Sequence, residues 1–498
     1  MLLRIKLYQK TYEKNLYSFS IIMKSLITLL LFSYSAVTLA AEKPNVVIIF
    51  IDDLGYGDIG PFGATKQKTP ELDRMAAEGM KLTSFYAAPV CSVSRAQLLT
   101  GCYGVRVDVP GVYSPGGANG LNPKEATIAE RLKELGYATM CIGKWHVGDQ
   151  PEFLPTKQGF DGYFGIPYSN DMQRKSSETG ERVSPLLRDD KVAELLTDDQ
   201  QSRIVERYTD EAVSFITKNK DKPFFLYLPH TAIHTPIYPG EKFRGKSSNG
   251  SVGDWIEELD SSTGKILETL RKIAPNTLVL FTSDNGPWLI KDKDSGSAGP
   301  LRGGKGSTWE GGVRVPTIAW WPGKISPNTS VDAIAGTIDL LPTAVSIAGG
   351  SVPAEPVIDG RDISPLLLGI STDSPRGVHY YFTKYTLDAV RRGPWKLALK
   401  AQNETMGRPT LPDAKDNTPR LYNLDKEIDE KTNIAKDHPE IVKELTALAE
   451  KMNTEIGGDQ PIARRPAGKV SNPVFLYPSE GREQGAKPQQ PQRKKKTE

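Results

Sequence analysis

The sequence is poor in cysteine and histidine: its 498 residues include three of the first and five of the second. Three cysteines cannot build a disulfide framework, so a small stapled domain is excluded. No Cys/His spacing resembles a zinc site either. Long apolar runs are missing, since the best candidate, Leu26 to about Val37, falls short of the ~18 to 20 residues that span a bilayer. No internal repeat is evident. Excess charge is also absent. The net +3 comes from 63 Lys and Arg against 60 Asp and Glu, and the positive balance lies at the ends. Residues 1–40 contribute +4 and residues 481–498 another +4, which leaves 52 bases against 57 acids between them. An acidic body without a basic stripe argues against nucleic-acid binding.

What is present suits a globular protein, with 38% hydrophobic and 25% charged residues. The length allows one very large α/β domain or two to three ordinary ones. From Met23 the chain reads MKSLITLLLFSYSAVTLA-AEKPN. One lysine, a short apolar run and small residues at Thr38 and Ala40 form the layout of a secretory signal peptide with cleavage expected after Ala40. Export without stable membrane insertion follows, to a bacterial periplasm or the outside. Because a signal's basic region is short, Met23 is an alternative start. The tail GREQGAKPQQPQRKKKTE is polar and Pro/Gln-rich, and is expected to be disordered.

Residues 45–51 (NVVIIFI) form a continuous β-branched run suited to a buried parallel strand, and they end in Asp52-Asp53-Leu54-Gly55. The arrangement recurs at 137–142 before Gly143-Lys144-Trp145-His146, at 224–228 before Pro229-His230, and at 277–281 before Thr282-Ser283-Asp284-Asn285-Gly286. Amphipathic helical stretches lie between, for example 126–135 and 255–272. This alternation predicts an α/β fold with a large, mostly parallel sheet covered by helices on both faces. Ligands bind outside the carboxyl ends of such strands, where all four polar clusters project. Beyond about Leu368 shorter strands (378–382, 395–399) precede a helix at 439–454, which predicts a smaller C-terminal α+β domain. The expected organisation is an N-terminal extension and signal (1–40), a catalytic domain (41–370), the smaller domain (371–480) and a basic tail (481–498).

Asp52, Asp53, Asp284 and Asn285 supply three carboxylates and an amide oxygen at strand ends of one sheet. That is hard-cation chemistry, for Ca²⁺ or Mg²⁺. Histidines beside such a site can act as acid or base, and the candidates are His146, His230 and His234. Lys305 lies in Arg302-Gly303-Gly304-Lys305-Gly306, where small neighbours let an ammonium approach an anion closely. The most informative segment is Pro89-Val90-Cys91-Ser92-Val93-Ser94-Arg95-Ala96-Gln97-Leu98-Leu99-Thr100-Gly101. On its own, Cys91 reads as a small buried hydrophobe or as a thiol activated by Arg95 near a helix start.

That segment resembles the sulfatase signature Cys-x-Pro-Ser-Arg-x-x-x-Leu-Thr-Gly, whose cysteine is oxidised after translation to Cα-formylglycine (3-oxoalanine). The match is complete except for Val93, where the family usually has Pro or Ala. FIDDLGYGD, GKWHVG, GIPYSNDM, TSDNGP and LRGGKGSTWEGGVRVP extend the resemblance from about Asn45 to Ile456, closest to the arylsulfatase A and N-acetylgalactosamine-6-sulfatase type. It implies an alkaline-phosphatase-like fold and one Ca²⁺, with Mg²⁺ second, held by Asp52, Asp53, Asp284, Asn285 and the modified Cys91. It also implies a maturation partner, either a formylglycine-generating enzyme or an anaerobic sulfatase-maturing enzyme. Arg95 and Lys144 would orient the aldehyde hydrate, His146 would bond its second hydroxyl, and Ser169, His234 and Lys305 would contact the sulfate. His234 is preferred to His230 because the family's histidine sits nearest the following turn.

A sulfate ester leaves a poor alkoxide, so such a site must stabilise charge on the nonbridging oxygens and protonate the bridging one. Lys144, Lys305 and a cation would do the first, and a protonated His234 the second. Export and the resemblance point to a sulfated carbohydrate, cut from a chain end, with a mild preference for galacto-configured sulfate. Tyr168 would stack on a sugar face, while Asn170, Asp171, Gln173 and Arg174 would read hydroxyls. Alternatives are a phosphodiesterase or phosphonate hydrolase of the same superfamily and an inactive polysaccharide-binding homologue. Cys102 and Cys141 could pair or remain free.

Overall fold

The computed structural model describes Met23 and residues 43–408 and 418–478. The expected signal peptide and basic tail lie outside the described residues. The described residues from Pro44 onward form one compact unit. Among the described residues no helix is long and apolar enough to cross a membrane.

Among the described residues the main sheet has eleven strands. In chain order they are β1 (Asn45–Ile51), β2 (Met80–Leu82), β3 (Ala138–Ile142), β4 (Gly162–Gly165), β5 (Arg174–Lys175), β6 (Arg182–Arg188), β7 (Lys191–Leu196), β8 (Phe224–Pro229), β9 (Thr277–Ser283), β10 (Thr317–Trp320) and β11 (Thr329–Val331). Their spatial order is β11-β2-β10-β9-β1-β8-β3-β4-β6-β5, with β7 paired to β6. The five strands from β9 to β4 run parallel, and β10, β2 and β6 join antiparallel. β1 is buried along its whole length, which is why it reads as an unbroken apolar run. Alternate residues feed two cores: Val46, Ile48 and Phe50 pack on one face of the sheet, and Val47, Ile49 and Ile51 on the other.

Helices cover both faces. α1 (Pro70–Glu78) packs with the long helix Gly250–Ile273, whereas α2 (Cys91–Thr100) and α3 (Ile128–Glu134) pack with Leu340–Ile347. Helix α3 begins at a capping box, in which the Thr127 hydroxyl accepts from the Glu130 amide and the Glu130 carboxylate accepts from the Thr127 amide.

The smaller C-terminal part is a four-stranded antiparallel sheet, β12 (His379–Thr383), β13 (Thr386–Arg392), β14 (Trp395–Ala398) and β15 (Arg420–Asn423), with helix Pro439–Glu455 packed against it. Its inward side is tied to the larger part through buried ions. Lys396 lies 3.0 Å from Glu310 and 2.8 Å from Glu430, and Tyr381 donates to Glu310 at 3.1 Å. Cys102 and Cys141 are separate, buried free thiols.

Candidate active site

The carboxyl ends of β1, β3, β8 and β9 converge on one point, and each delivers a polar cluster. After β3 the chain turns at Gly143, whose φ is +130°. A Cβ there would fall 1.8 Å from the Pro229 carbonyl oxygen. Only glycine lets this backbone run so close to the end of β8. The next three amides then hydrogen-bond to the flanking strand ends, the first at β8 and the other two just beyond β4: Lys144 N donates to Pro229 O (2.6 Å), Trp145 N to Ile166 O (3.1 Å) and His146 N to Pro167 O (3.1 Å). Asp53 and His146 both adopt left-handed backbone conformations, with φ of 62° and 61°, which is uncommon for side chains of this kind and typical of constrained sites.

Cys91 is the first residue of α2 and is 2% exposed. Ser94, one turn on, accepts from the Ala88 amide at 2.7 Å and donates a short hydrogen bond to the Asp284 carbonyl, which locks the helix start to the end of β9. Val93, the departure from the sulfatase signature, is accommodated by Gly104, where a Cβ would collide with Val93 Cγ1 at 2.5 Å.

Around Cys91 the six predicted charged groups form three buried pairs. Arg95 Nη2 lies 2.8 Å from Asp284 Oδ2, Lys144 Nζ 2.5 Å from Asp52 Oδ2, and Lys305 Nζ 2.6 Å from Asp53 Oδ1. Lys144 also donates to Ser169 Oγ at 3.2 Å. Each predicted anion-binding cation is therefore already matched by a carboxylate. A ligand atom from each of Asp52, Cys91 and Asp284 lies within 4.8 Å of the others. Asn285 Nδ2 donates to Asp53 Oδ1 at 2.7 Å. Asp52 Oδ1 and Asn285 Oδ1 are buried and have no hydrogen-bond partner among the described residues.

Burial raises the Asp52 carboxyl, but Lys144, then His234, Arg95 and Lys305, outweigh it and hold the group well below the usual range. Asp284 goes the other way, up to about 7, through burial and the neighbouring Asp52 charge against Arg95 and Lys144. Orphaned oxygen acceptors and mutually repelling carboxylates in a dry site fit a divalent hard cation.

His146 Nε2 lies 3.0 Å from the Tyr113 carbonyl. A carbonyl only accepts, so Nε2 carries the proton and Nδ1 the lone pair. Nδ1 is buried without a partner among the described residues. Burial, then Lys144 and Arg95, hold this imidazole well below its ordinary pKa, so it is neutral. By the same reasoning His234 donates from Nδ1 to Thr235 O at 2.7 Å and turns the Nε2 lone pair towards Asp53, 3.7 Å away. Burial and Lys305 lower its pKa. The protonated His234 expected from sequence is therefore not the favoured form without an anion in the site. His230 is fully buried with both ring nitrogens unpartnered among the described residues, and burial lowers it to about 3. It faces Tyr208 at 6.0 Å between ring centroids, inside the core.

The expected sugar subsite requires correction. Tyr168 is 3% exposed and packs in the hydrophobic core, so no sugar face can stack on it. Asn170 is equally buried and donates from Nδ2 to the carbonyls of His234 (3.2 Å) and Pro236 (3.1 Å); its task is to hold the His234 loop. Gln173 is tied to Asp198 at 2.7 Å, and the Arg174 guanidinium lies over Phe475 at 4.7 Å. Asp171 remains at the edge, 4.0 Å from His234 Nδ1.

Two contributors were missed from sequence. Trp288, half-buried, lies with its ring centroid 5.8 Å from that of His234 and 5.1 Å from Lys305 Nζ. Residues 404–406, from the connection between β14 and β15, brace the Lys305 loop: Gly304 N donates to Glu404 O (2.9 Å) and Met406 N to Lys305 O (2.7 Å). The position of Trp288 immediately after DNGP was a usable signal. Nothing in the sequence marked the second.

The parallel core, the polar strand ends and the buried Asp52–Cys91–Asp284 group, which could hold a metal ion, are the features of an alkaline-phosphatase-like fold. Residues 44–350 match the sulfatase family, and residues 374–470 match the C-terminal region of aryl-sulfatase. The chain is 39% identical over 379 residues to N-acetylgalactosamine-6-sulfatase of the dog, Canis lupus familiaris, covering 72% of each chain. It is 37% identical over 461 residues to human arylsulfatase A, covering 84% of this chain and 89% of the relative. The crystal structure of the PsFucS1 sulfatase from Pseudoalteromonas sp. superimposes with a TM-score of 0.75 at 32% identity, over 84% of this chain and 92% of that one. The chain belongs to the sulfatase family and is a sulfuric ester hydrolase.

Proposed function

We propose that this sulfatase is an exported enzyme that removes sulfate from saccharides, with Cys91 converted to formylglycine as the source of the nucleophile. The observation that carries the reading is the placement of Cys91 at a helix start, within 4.8 Å of carboxylate oxygens of Asp52 and Asp284. Burial raises the Cys91 thiol pKa despite Lys144 and Lys305, so the unmodified residue is a poor thiolate nucleophile. A hydrated aldehyde at residue 91 would supply what the thiol lacks: one hydroxyl as the nucleophile towards sulfur, displacing the alcohol, and a second whose proton loss would let the C–O bond to sulfate break and the aldehyde re-form. A divalent cation, Ca²⁺ in preference to Mg²⁺, would be held by Asp52, Asp53, Asp284, Asn285 and the modified residue 91; when bound it supplies the net positive charge that the three ion pairs lack.

The chain's own residues provide the rest. Arg95 and Lys144 orient residue 91 from two sides. His146 Nδ1, neutral and with its lone pair free, takes the proton from the second hydroxyl. Lys305 and Ser169 bind the nonbridging oxygens. His234 Nε2 donates to the bridging oxygen once an anionic ester in the site favours its protonation. The apolar segment ahead of Ala40 supports export, and the resemblance to N-acetylgalactosamine-6-sulfatase supports a galacto-configured sugar sulfate.

Mass spectrometry of the peptide spanning Cys91, from protein produced with a maturation enzyme, tests the central claim. The expected result is replacement of the thiol by an aldehyde in active protein and a retained thiol in inactive protein. Full activity from protein carrying only the thiol would overturn the mechanism. Cys91→Ala should fold normally and show no turnover.

A further inference from the structure

The sequence contains seven tryptophans. Trp145, Trp255, Trp309, Trp320 and Trp321 are buried, and Trp395 packs on His438 at 4.8 Å in the C-terminal part. Trp288 differs from these. It is half-buried at the edge of the site, beside His234 and Lys305. Its indole N–H is occupied by the Met406 carbonyl at 3.0 Å, which fixes the ring's orientation and leaves its π surface as the recognition element. Lys291, with Nζ 4.7 Å from the ring centroid, makes no ion pair among the described residues, so its flexible ammonium can leave the ring for an incoming group.

We propose that Trp288 is the platform on which the pyranose ring bearing the scissile sulfate stacks. This deepens the saccharide-sulfatase reading above and rests on it. If Lys305 and His234 receive the sulfate and the bridging oxygen, the carbon attached to that oxygen comes out beside Trp288, because the indole flanks both residues. The separation between the Trp288 and His234 rings, 5.8 Å, falls within the ~4.5–7 Å over which aromatic faces make packing contacts. A flat apolar surface favours pyranoses that gather their C–H groups into one continuous patch. The axial O4 of a galacto-configured ring leaves the C–H groups at C3, C4 and C5 together on the opposite face, whereas a gluco-configured ring, its hydroxyls all equatorial, divides its axial C–H groups between two faces. Trp288 therefore acts as a specificity-determining residue, in the place the sequence had suggested for Tyr168. Lys291, displaced from the ring, meets a further anionic substituent on the same saccharide.

The test uses the matured enzyme and its Trp288→Ala and Trp288→Phe variants, with galactose 6-sulfate, glucose 6-sulfate, p-nitrophenyl sulfate and inorganic sulfate as probes. Trp288→Ala should lower kcat/KM on galactose 6-sulfate about ten- to hundredfold, mostly through KM, and should narrow the galacto-over-gluco preference. Trp288→Phe should retain part of both. Inhibition by inorganic sulfate, which needs no platform, should be unaltered, and the quenching of tryptophan fluorescence by galactose should be lost in both variants. A wild type that hydrolyses p-nitrophenyl sulfate and no sugar sulfate overturns the substrate reading on which the platform rests. A wild type active on sugar sulfates, with Trp288→Ala unchanged in KM and epimer preference, overturns the platform alone. Weaker inhibition by inorganic sulfate in Trp288→Ala, in step with the loss on the sugar, would assign Trp288 to the support of Lys305 and also overturn it.

Discussion

Arg95 and Asp284, 189 residues apart, form an ion pair sealed from solvent, with Nη2 2.8 Å from Oδ2 and neither side chain exposed. Arg95 Nη1 also donates to the Lys144 carbonyl at 2.7 Å, so one guanidinium joins the helix start, the end of β9 and the turn after β3. Removing one partner of a buried pair leaves the other charge uncompensated, which costs ~3–5 kcal/mol. Arg95→Ala should therefore lose stability of that order in urea unfolding and should lose turnover as well. Arg95→Lys keeps the charge but cannot span both acceptors, so it should fall between the two. A loss below ~1 kcal/mol in the alanine variant, the level of a surface pair, would show that the pair contributes little to the fold.

Asp52 Oδ1 and Asn285 Oδ1, without a hydrogen-bond partner among the described residues, together with the Asp52 and Asp284 carboxylates predict a stability response to divalent cations. Chelator-stripped protein should melt at lower temperature than untreated protein, and Ca²⁺ should restore the difference. At a concentration ~100 times its Kd a ligand that binds only the folded state adds ~2.7 kcal/mol. Asp284→Asn, nearly the same shape with one charge fewer, should lose most of the Ca²⁺ response. Thermal melts indifferent to chelator, Ca²⁺ and Mg²⁺ would remove the cation from the site.

The parts legible in sequence were those where local pattern and final environment coincide. β1 and β9 are buried on both faces, so their apolar runs marked them as central strands, and the polar clusters Asp52-Asp53 and Asp284-Asn285 follow directly from their ends. The hairpin of β6 and β7 was missed because Arg182 to Leu196 mixes charged and apolar residues in a half-exposed edge, without a strong period. At the site, residue identity was more legible than electrostatic state. Lys144 and Lys305 read as cations awaiting an anion, yet each of them, like Arg95, is neutralised by a carboxylate at the end of β1 or β9, a pairing that depends on contacts 92 to 252 residues apart. Tyr168 and Trp288 failed in opposite directions for one reason: amphipathic aromatics suit core and surface alike, and only the tertiary packing decides which is which.

Gly143 offers a test of how strongly the turn after β3 is constrained. Alanine there would have to adopt φ near +130° with its methyl 1.8 Å from the Pro229 carbonyl oxygen. Either the backbone moves or β8 does, and in both cases Lys144 shifts away from Asp52. Gly143→Ala should destabilise the protein by ~3 kcal/mol or more, as strained core substitutions do, and should depress kcat beyond what the stability loss explains. Retention of wild-type melting and kcat would mean that the turn relaxes without disturbing Lys144.

Stability should also depend on pH through Glu258, on the long helix Gly250–Ile273 and remote from the proposed cation ligands. The side chain is 6% exposed, and Oε2 accepts from the Gly240 amide at 2.8 Å. Burial raises its carboxyl from 4.5 to about 7, with Glu206 adding to the rise and the Gly240 hydrogen bond opposing it. An acid whose folded pKa is raised contributes stability that is fully present below the unfolded pKa and is lost as pH rises through the folded one. The contribution should therefore fade between about pH 4.5 and 8, by up to ~3 kcal/mol for a shift of this size. Glutamine keeps an acceptor for the Gly240 amide and never ionises. Glu258→Gln should match the wild type in Tm near pH 5 and exceed it near pH 8. An equal gap at both pH values would mean that Glu258 does not titrate in this range, whereas a gap of the opposite sign at pH 8 would mean that its charge is compensated within the fold.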